Sequence, residues 1–219
     1  MQMNLTANSV SEERISSMRW LLNAVYVLLL AMLSPFILWR VIRQGRYRRG
    51  LSEKFFGQLR LPKSSRPIVW FHAVSVGEVI QLQKVVETFR KQTADRFQIL
   101  VTTSTDTGYD LAVKRFDGCF VSWYPLDFSW AVRRAIHRVQ PKLVVLMELE
   151  FWPNFMSECT RQNVPVAVVN ARMGDKSFGR YQKVRFLLAP LFSRLSLAAA
   201  QSPIHGERLR ILGVPGERI

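Results

Sequence analysis

The sequence predicts a doubly wound α/β domain with a parallel sheet, preceded by an amino-terminal membrane-anchor helix. Three observations favour this fold. Six short apolar runs alternate with helical patterns after residue 66, as expected for a parallel sheet whose faces are covered by helices. An uncharged stretch of twenty residues, 20–39, precedes them. The chain has 219 residues, 48% of them hydrophobic, which is enough for a domain with a substantial core.

The amino-terminal part of the chain predicts a tail followed by a membrane anchor. Residues 1–19 are polar and lack periodicity, which indicates a flexible tail. We expect the anchor helix at residues 20–42, where Trp20 and Trp39 bound a stretch long enough for about 30 Å of hydrocarbon. Pro35 permits a kink, so a crossing helix and a shallow embedded helix both fit. A cleaved signal peptide and an ordinary buried helix are the alternatives.

A basic segment, residues 43–66, follows the anchor and separates it from the domain at 67–219. The chain carries a net charge of +15, which implies an anionic partner. Much of the excess lies between residues 40 and 66, so we expect anionic lipids of the inner membrane rather than nucleic acid. A solvated linker is the alternative. The candidate membrane-interface residues are Arg46, Arg48 and Arg49.

The same charge asymmetry predicts an orientation. Only Arg14 and Arg19 precede the apolar stretch as basic residues, so the positive-inside bias places the domain in the cytoplasm. The same asymmetry predicts that the tail before Trp20 faces the periplasm. The two cysteines, Cys119 and Cys159, have neither metal nor redox spacing, which fits a reducing compartment.

The domain should be built from six buried strands. We expect them at residues 68–73, 98–104, 119–124, 143–149, 166–170 and 195–201. Helical spacing separates them, as after Glu78, where apolar residues recur on one side from Val79 to Phe89. A sheet of this kind binds its ligands beyond the carboxyl ends of its strands.

Glu78 follows the first of these strand ends and is our candidate general base. Helix dipoles also favour an acid in a first turn, so a purely structural role is the alternative. Ser75–Glu78 lacks the full glycine fingerprint of a dinucleotide site, and the sequence contains no P-loop. We therefore expect no cofactor. The three histidines show no metal spacing, so we expect no metal.

Other strand ends carry polar residues. Residues 102–108 offer hydroxyls and a glycine, which suit either a helix cap or a bound sugar or phosphate. Glu148 and Glu150 leave a buried run, and as alternating strand residues they would point the same way unless the turn begins between them. Arg172 ends the fifth strand. The following helix has Arg180, Lys183 and Arg185, which suit phosphate binding or a solvated face.

Taken in order, these segments resemble the amino-terminal half of the 3-deoxy-D-manno-octulosonic acid (Kdo) transferase family. The matching pieces are residues 46–49, 72–78, 102–108, 124–127, 147–154, 170–172 and 199–201. The resemblance implies a Rossmann-like acceptor-binding domain of the GT-B type, with the donor-binding domain beyond Ile219. It also implies CMP-Kdo as donor and a lipid A precursor at the inner membrane as acceptor.

By this resemblance Glu78 matches the proton acceptor and Glu148 matches an acid that supports the transition state. Leu149 and Gly174 depart from residues common in the family, and we expect them to tune the site. The candidate acceptor-binding residues are Ser75, Gly77, Thr105, Gly108, Glu150, Asn154 and Arg172.

The sequence thus predicts a membrane-attached, inverting, metal-independent glycosyltransferase, of which this chain is the acceptor-binding half. Two alternatives remain at this point. One is a non-catalytic lipid-binding module attached to the membrane. The other is a GT-B transferase with a different membrane lipid as acceptor.

Overall fold

A six-stranded parallel sheet forms the centre of the computed structural model, which describes residues 3–44, 48–61 and 65–219. The strand order is β3-β2-β1-β4-β5-β6, so the direction of winding reverses between β1 and β4. This confirms the predicted doubly wound, Rossmann-like fold. The strands are β1 (Ile68–His72), β2 (Gln98–Thr103), β3 (Phe120–Trp123), β4 (Leu143–Met147), β5 (Val166–Ala171) and β6 (Leu197–Ala200).

Helices connect the strands and cover both faces of the sheet. The helices of the described segments are α1 (Met3–Gln44), α2 (Leu51–Phe56), α3 (Val76–Gln92), α4 (Asp106–Arg115), α5 (Ser129–Val139), α6 (Pro153–Arg161), α7 (Asp175–Lys183), α8 (Arg185–Phe192) and α9 (Pro203–Leu212). Alternate strand residues point to opposite faces: Trp70 joins the core under α5, α6, α8 and α9, whereas Phe71 joins the core under α3 and α4.

Two sequence-based expectations differ from the structure. Residues expected to form a flexible tail are helical from Met3 onward, since residues 3–19 contain neither proline nor glycine to end the helix. Strand β4 ends at Met147, because Glu148 has a left-handed backbone with φ of 54°. The turn therefore begins before Glu148, and Glu148 and Glu150 are not alternating strand residues.

The division into anchor, basic segment and domain stays a prediction.

Asp127 attaches α1 to the domain through a buried polar cluster. Its carboxylate accepts hydrogen bonds from the backbone N–H of Asn154 (3.0 Å) and Phe155 (2.8 Å) at the start of α6, and from the Tyr26 hydroxyl of α1 (3.0 Å). Asn23, also in α1, donates to Ser129 Oγ (2.7 Å) and accepts from the Ser129 N–H (3.1 Å). We call Asn23, Tyr26, Asp127, Ser129 and Asn154 the Asp127 cluster.

The other end of α1 is also close to the domain. The Arg48 guanidinium donates to the Val41 carbonyl oxygen near the end of α1 (2.8 Å). The neighbouring Arg49 pairs with Asp110 of α4 (2.8 Å) and lies over the Tyr109 ring. Between these attachments α1 exposes a nearly continuous apolar surface, and Arg19–Phe36 is long and apolar enough to cross a membrane.

We predict that pH affects the wild-type chain and an Asp127→Asn variant differently. Burial raises the pKa of Asp127 from 3.8 to about 7. The resulting stabilisation is present below pH 4 and is lost as pH rises through 7. The free energy of unfolding of the wild type should therefore fall by about 2.6 kcal/mol relative to the variant between pH 5 and pH 8. Chemical denaturation in one detergent measures this difference.

The control for this prediction is Asp117→Asn, which changes an exposed aspartate and should keep the pH dependence of the wild type. A constant difference between the wild type and Asp127→Asn over the same pH range would show that Asp127 does not titrate there.

Candidate active site

The candidate site lies at the carboxyl ends of β1 and β4, where the strand order reverses. These two strands pair directly, with His72 beside Leu146 at their last registered position. Loops leaving neighbouring strands in opposite directions open a crevice at such a point, which is where ligands bind in open α/β sheets. The β1–α3 loop contributes Ser75 to Glu78, and the β4–α6 loop contributes Glu148 to Trp152.

Glu78 is held at the start of α3 by a local hydrogen-bond network. The carboxylate accepts from the backbone N–H of Val74 (2.9 Å) and from the hydroxyl of Ser75 (2.8 Å). Ser75 is also the N-cap residue, since its Oγ accepts from the Glu78 N–H (3.4 Å). This arrangement is a variant of the capping box. It fixes the carboxylate and leaves it partly exposed beside the crevice.

Glu148 is held in the crevice by its backbone and by an ion pair. Its left-handed conformation ends β4 and carries the side chain out of the strand direction. The Arg172 guanidinium at the end of β5 lies 3.2 Å from the Glu148 carboxylate. Arg172 is 60% exposed and Glu148 is 22% exposed, so the pair sits at the mouth of the crevice and stabilises the fold only weakly.

Glu150 brings a third carboxylate into the same region. Burial raises its pKa, and the negative charges of Glu78 and Glu148 raise it further, while a hydrogen bond with Trp152 acts in the opposite direction. The structure therefore places all three predicted glutamates within electrostatic range of one another. Like charges gathered in a partly dry site make one of them easier to protonate, a feature shared by many catalytic sites.

A cleft of about 450 Å³ lies next to Glu148 and Glu150, and Glu78 is not among the residues that line it. Three predicted residues line it: Glu148, Glu150 and Arg172. The lining also includes Ser177 and Tyr181 of α7 and His205 of α9, which sequence reasoning did not select. His205 accepts a hydrogen bond from the Met173 N–H (3.3 Å). Its position depends on α9 packing beside β6, and no spacing in the sequence indicates this.

Thr105 and Gly108 connect the β1–α3 loop with the beginning of α4. Thr105 Oγ1 caps α4 by accepting from the Gly108 N–H (3.1 Å) and donates to the Val74 carbonyl oxygen (3.0 Å). A β-carbon on Gly108 would lie 2.5 Å from Thr103 Oγ1, so only glycine fits. A β-carbon on Gly77 would meet nothing closer than 3.9 Å. The fold therefore requires Gly108, whereas Gly77 leaves open space beside Glu78.

The remaining predicted residues lie elsewhere. Asn154 is buried in the Asp127 cluster, where its amide donates to the Asp127 carbonyl oxygen, and it does not line the cleft. Arg48 and Arg49 flank the end of α1. Arg46 lies outside the described residues. The roles assigned to all of these residues stay predictions.

The histidine beside the site is structural in character. His72 is fully buried, and burial lowers its pKa to about 3, so the ring is neutral at physiological pH. It stacks on Tyr124 with ring centroids 3.7 Å apart. In the described parts of the chain no group of three or more His, Cys, Asp or Glu residues is arranged to hold a metal ion.

Comparisons with known proteins agree with this architecture. A family model described as 3-deoxy-D-manno-octulosonic-acid transferase (kdotransferase) matches residues 46–219. The 3-deoxy-D-manno-octulosonic acid transferase of Haemophilus influenzae is 36% identical over 201 residues, which cover 89% of this chain and 46% of the relative. A transferase of the same name from Chlamydia pneumoniae is 31% identical, covering 84% and 43%. The chain thus spans less than half the length of these relatives.

Two further matches are more distant in function or sequence. A bifunctional glycosyltransferase/methyltransferase of Fusobacterium nucleatum is 35% identical over 154 residues, which cover 69% of this chain and 24% of the relative. A solved structure described as a UDP-N-acetylglucosamine 2-epimerase from Listeria monocytogenes superposes with a TM-score of 0.50 at 12% identity, covering 71% of this chain and 45% of that one. This last match supports the fold alone.

We predict opposite effects of alanine at the two glycines of the site. Gly108→Ala should lower the free energy of unfolding by about 1–3 kcal/mol, because the new methyl group overlaps the Thr103 and Thr105 hydroxyls. Gly77→Ala should cause no loss and could add up to about 1 kcal/mol, because alanine favours the helix and meets open space. Thermal or chemical unfolding of the two variants measures both effects. Equal destabilisation by both substitutions would contradict this assignment.

Proposed function

Because this chain belongs to the 3-deoxy-D-manno-octulosonic acid (Kdo) transferase family, we propose that it forms the acceptor-binding half of a glycosyltransferase. The proposed reaction moves Kdo from CMP-Kdo to a lipid A precursor. The observation that carries the proposal is the fixed carboxylate of Glu78 at the switch point of the sheet. Its charge acts on Glu150, which together with Glu148 lines a cleft of ligand size.

Glu78 would act as the general base of an inverting displacement. A hydroxyl of the acceptor sugar attacks the anomeric carbon of the Kdo unit, its proton passes to Glu78, and CMP leaves with the bonding electrons. The two hydrogen bonds from Val74 and Ser75 hold the carboxylate in place. Pre-positioning of a base in this way removes the entropic cost of collecting it in the transition state.

Glu148 and Arg172 would orient the acceptor and balance charge in the crevice. Their ion pair places one positive and one negative group at the cleft mouth. There a phosphate group of a lipid acceptor could bind Arg172, and a hydroxyl group of the acceptor could donate to Glu148. Glu150, whose pKa is raised, could donate a hydrogen bond when protonated. We propose that these groups act without a metal ion and without a cofactor.

We further propose that α1 is embedded in the cytoplasmic face of the inner membrane and does not cross it. Tyr26 is hydrogen-bonded to Asp127 of the domain, and Val41 is hydrogen-bonded to Arg48, next to Arg49, which pairs with Asp110 of the domain. A helix rises only about 22 Å over the fifteen positions from Tyr26 to Val41. The hydrocarbon layer is about 30 Å thick. Since positions 26 and 41 of α1 both lie near the domain, a crossing helix would pull part of the domain into the lipid. This proposal replaces the periplasmic tail expected from the charge asymmetry. An embedded helix places its exposed apolar surface in the lipid and the crevice beside the headgroups.

We predict that Glu78→Gln lowers Kdo transfer by about 10²- to 10⁴-fold, because glutamine keeps the shape of the side chain but cannot take the proton. The assay uses the chain joined to a carboxyl-terminal half, with CMP-Kdo and a lipid A precursor. Acceptor binding and the free energy of unfolding should change little. Glu87→Gln, on the exposed side of α3, is the matched control. Near-normal turnover by Glu78→Gln would leave Glu78 with a helix-capping role alone.

We predict that the segment before Trp20 is on the cytoplasmic side. A cysteine placed at Asn8, in a Cys119→Ser background, should resist a membrane-impermeant thiol reagent in intact cells and react after permeabilisation. A cysteine at exposed Asp117 should behave in the same way, which makes it the control for the cytoplasmic domain. Labelling of residue 8 from the periplasm would instead establish a crossing helix.

A further inference from the structure

A second, strongly basic groove lies on the face of the domain covered by α5 and α6. It has a volume of about 910 Å³ and shares no lining residue with the cleft beside Glu148. Five arginines line it: Arg19, Arg133, Arg134, Arg161 and Arg194. Among the described lining residues Glu158 is the one carboxylate. We call this feature the basic groove.

The groove follows from the spacing of two adjacent helices. Trp130, Arg133, Arg134 and His137 repeat at helical spacing along α5, and Asn154, Ser157, Glu158 and Arg161 repeat in the same way along α6. Each set therefore forms one stripe of its helix. The opposite stripes, such as Val132 and Ile136 of α5, are buried against the sheet. The two polar stripes face the same open space.

The positive charge of the groove is not neutralised within the described structure. Glu158 already accepts hydrogen bonds from Arg161 (2.9 Å) and Gln162 (2.6 Å). Arg133 is close enough to Glu158 to lower the pKa of that carboxyl group, and Arg134 donates to the Phe56 carbonyl oxygen (3.0 Å). One carboxylate thus faces five arginines among the described lining residues. The Arg19 Nε atom is buried without a hydrogen-bond partner in the same part of the chain. Arginines gathered in this way are suited to bind an anion, because guanidinium groups match the geometry of phosphate oxygens.

The groove also adjoins the apolar surface of α1. Arg19 and Trp20 belong to the beginning of the apolar stretch and line the groove at one side. Trp20 is 63% exposed and Trp130 is 40% exposed. Tryptophan and arginine are the residues that occupy the level of lipid headgroups.

We propose that the basic groove is a binding site for the phosphodiester headgroup of an anionic phospholipid, separate from the acceptor cleft. The arginines would bind the phosphate oxygens, and the two tryptophans would lie at the level where the acyl chains begin. The position at the start of the apolar stretch of α1 favours a lipid headgroup over a free phosphate ion. Such a site would hold the domain in one orientation on the bilayer.

The test titrates the full chain, in zwitterionic detergent micelles, with short-chain phosphatidylglycerol and with short-chain phosphatidylcholine. Binding is followed by native mass spectrometry. Phosphatidylglycerol should bind saturably and more tightly than phosphatidylcholine. The double variant Arg133→Gln, Arg194→Gln should weaken phosphatidylglycerol binding by about 5-fold for each arginine removed. Arg133→Lys, Arg194→Lys keeps the charges and should retain most of the binding.

A matched pair of substitutions separates the groove from the general positive charge of the chain. Lys91→Gln, Arg96→Gln removes two charges at the end of α3 and in the following loop, on the opposite face of the sheet, and should leave phosphatidylglycerol binding unchanged. Equal weakening by both pairs, or equal binding of the two lipids, would overturn the proposal. So would binding of inorganic phosphate, at matched ionic strength, as tight as that of phosphatidylglycerol, because the site would then take a free anion.

Discussion

The placement of the long apolar helix α1 depends on one buried carboxylate. Asp127 satisfies two backbone N–H groups at the start of α6, which would otherwise lack partners, and it accepts a hydrogen bond from Tyr26 of α1 at the same time. Burial of a carboxyl group is costly unless its oxygens are bonded, and here both are. The domain core, α6 and α1 are therefore joined at a single point close to the carboxyl edge of the sheet.

Under the proposal that α1 is embedded in the membrane, this attachment sets the geometry between the lipid and the crevice. The carboxyl edge carries Glu78 and Glu148, and α5 and α6 also begin there, beside Asn23 and Tyr26. An apolar helix fixed at that edge brings the crevice to the membrane surface without a flexible linker. A lipid acceptor with its reactive hydroxyl in the headgroup would then need to rise only a short way out of the bilayer. The attachment of α1 is therefore relevant to how the proposed acceptor would reach the crevice.

The sheet could be predicted from the sequence because buried parallel strands leave a strong signal. Each apolar run was located to within two or three residues, and the strand order follows the doubly wound pattern. The strand ends carrying Glu78, Glu148, Glu150 and Arg172 were located for the same reason. The left-handed turn at Glu148 gave no such signal, because glutamate rarely adopts it and only the ion pair with Arg172 and the surrounding loop explain it.

Polar contacts between residues far apart in the sequence could not be predicted, for a different reason. Asn154 follows two acids and looks like a site residue, yet its partners are Asp127 and Asn23, which lie 27 and 131 positions away. His205 reaches the cleft only because α9 packs beside β6. The basic groove likewise gathers residues from α1, α5, α6 and the segment before β6. Periodicity can assign each residue to a face of its helix, but which faces come together is decided by the order of strands in the sheet. That order also separates the crevice at the carboxyl edge from the basic groove on the flank, so one domain presents two cavities with different chemistry: carboxylates line one and arginines line the other.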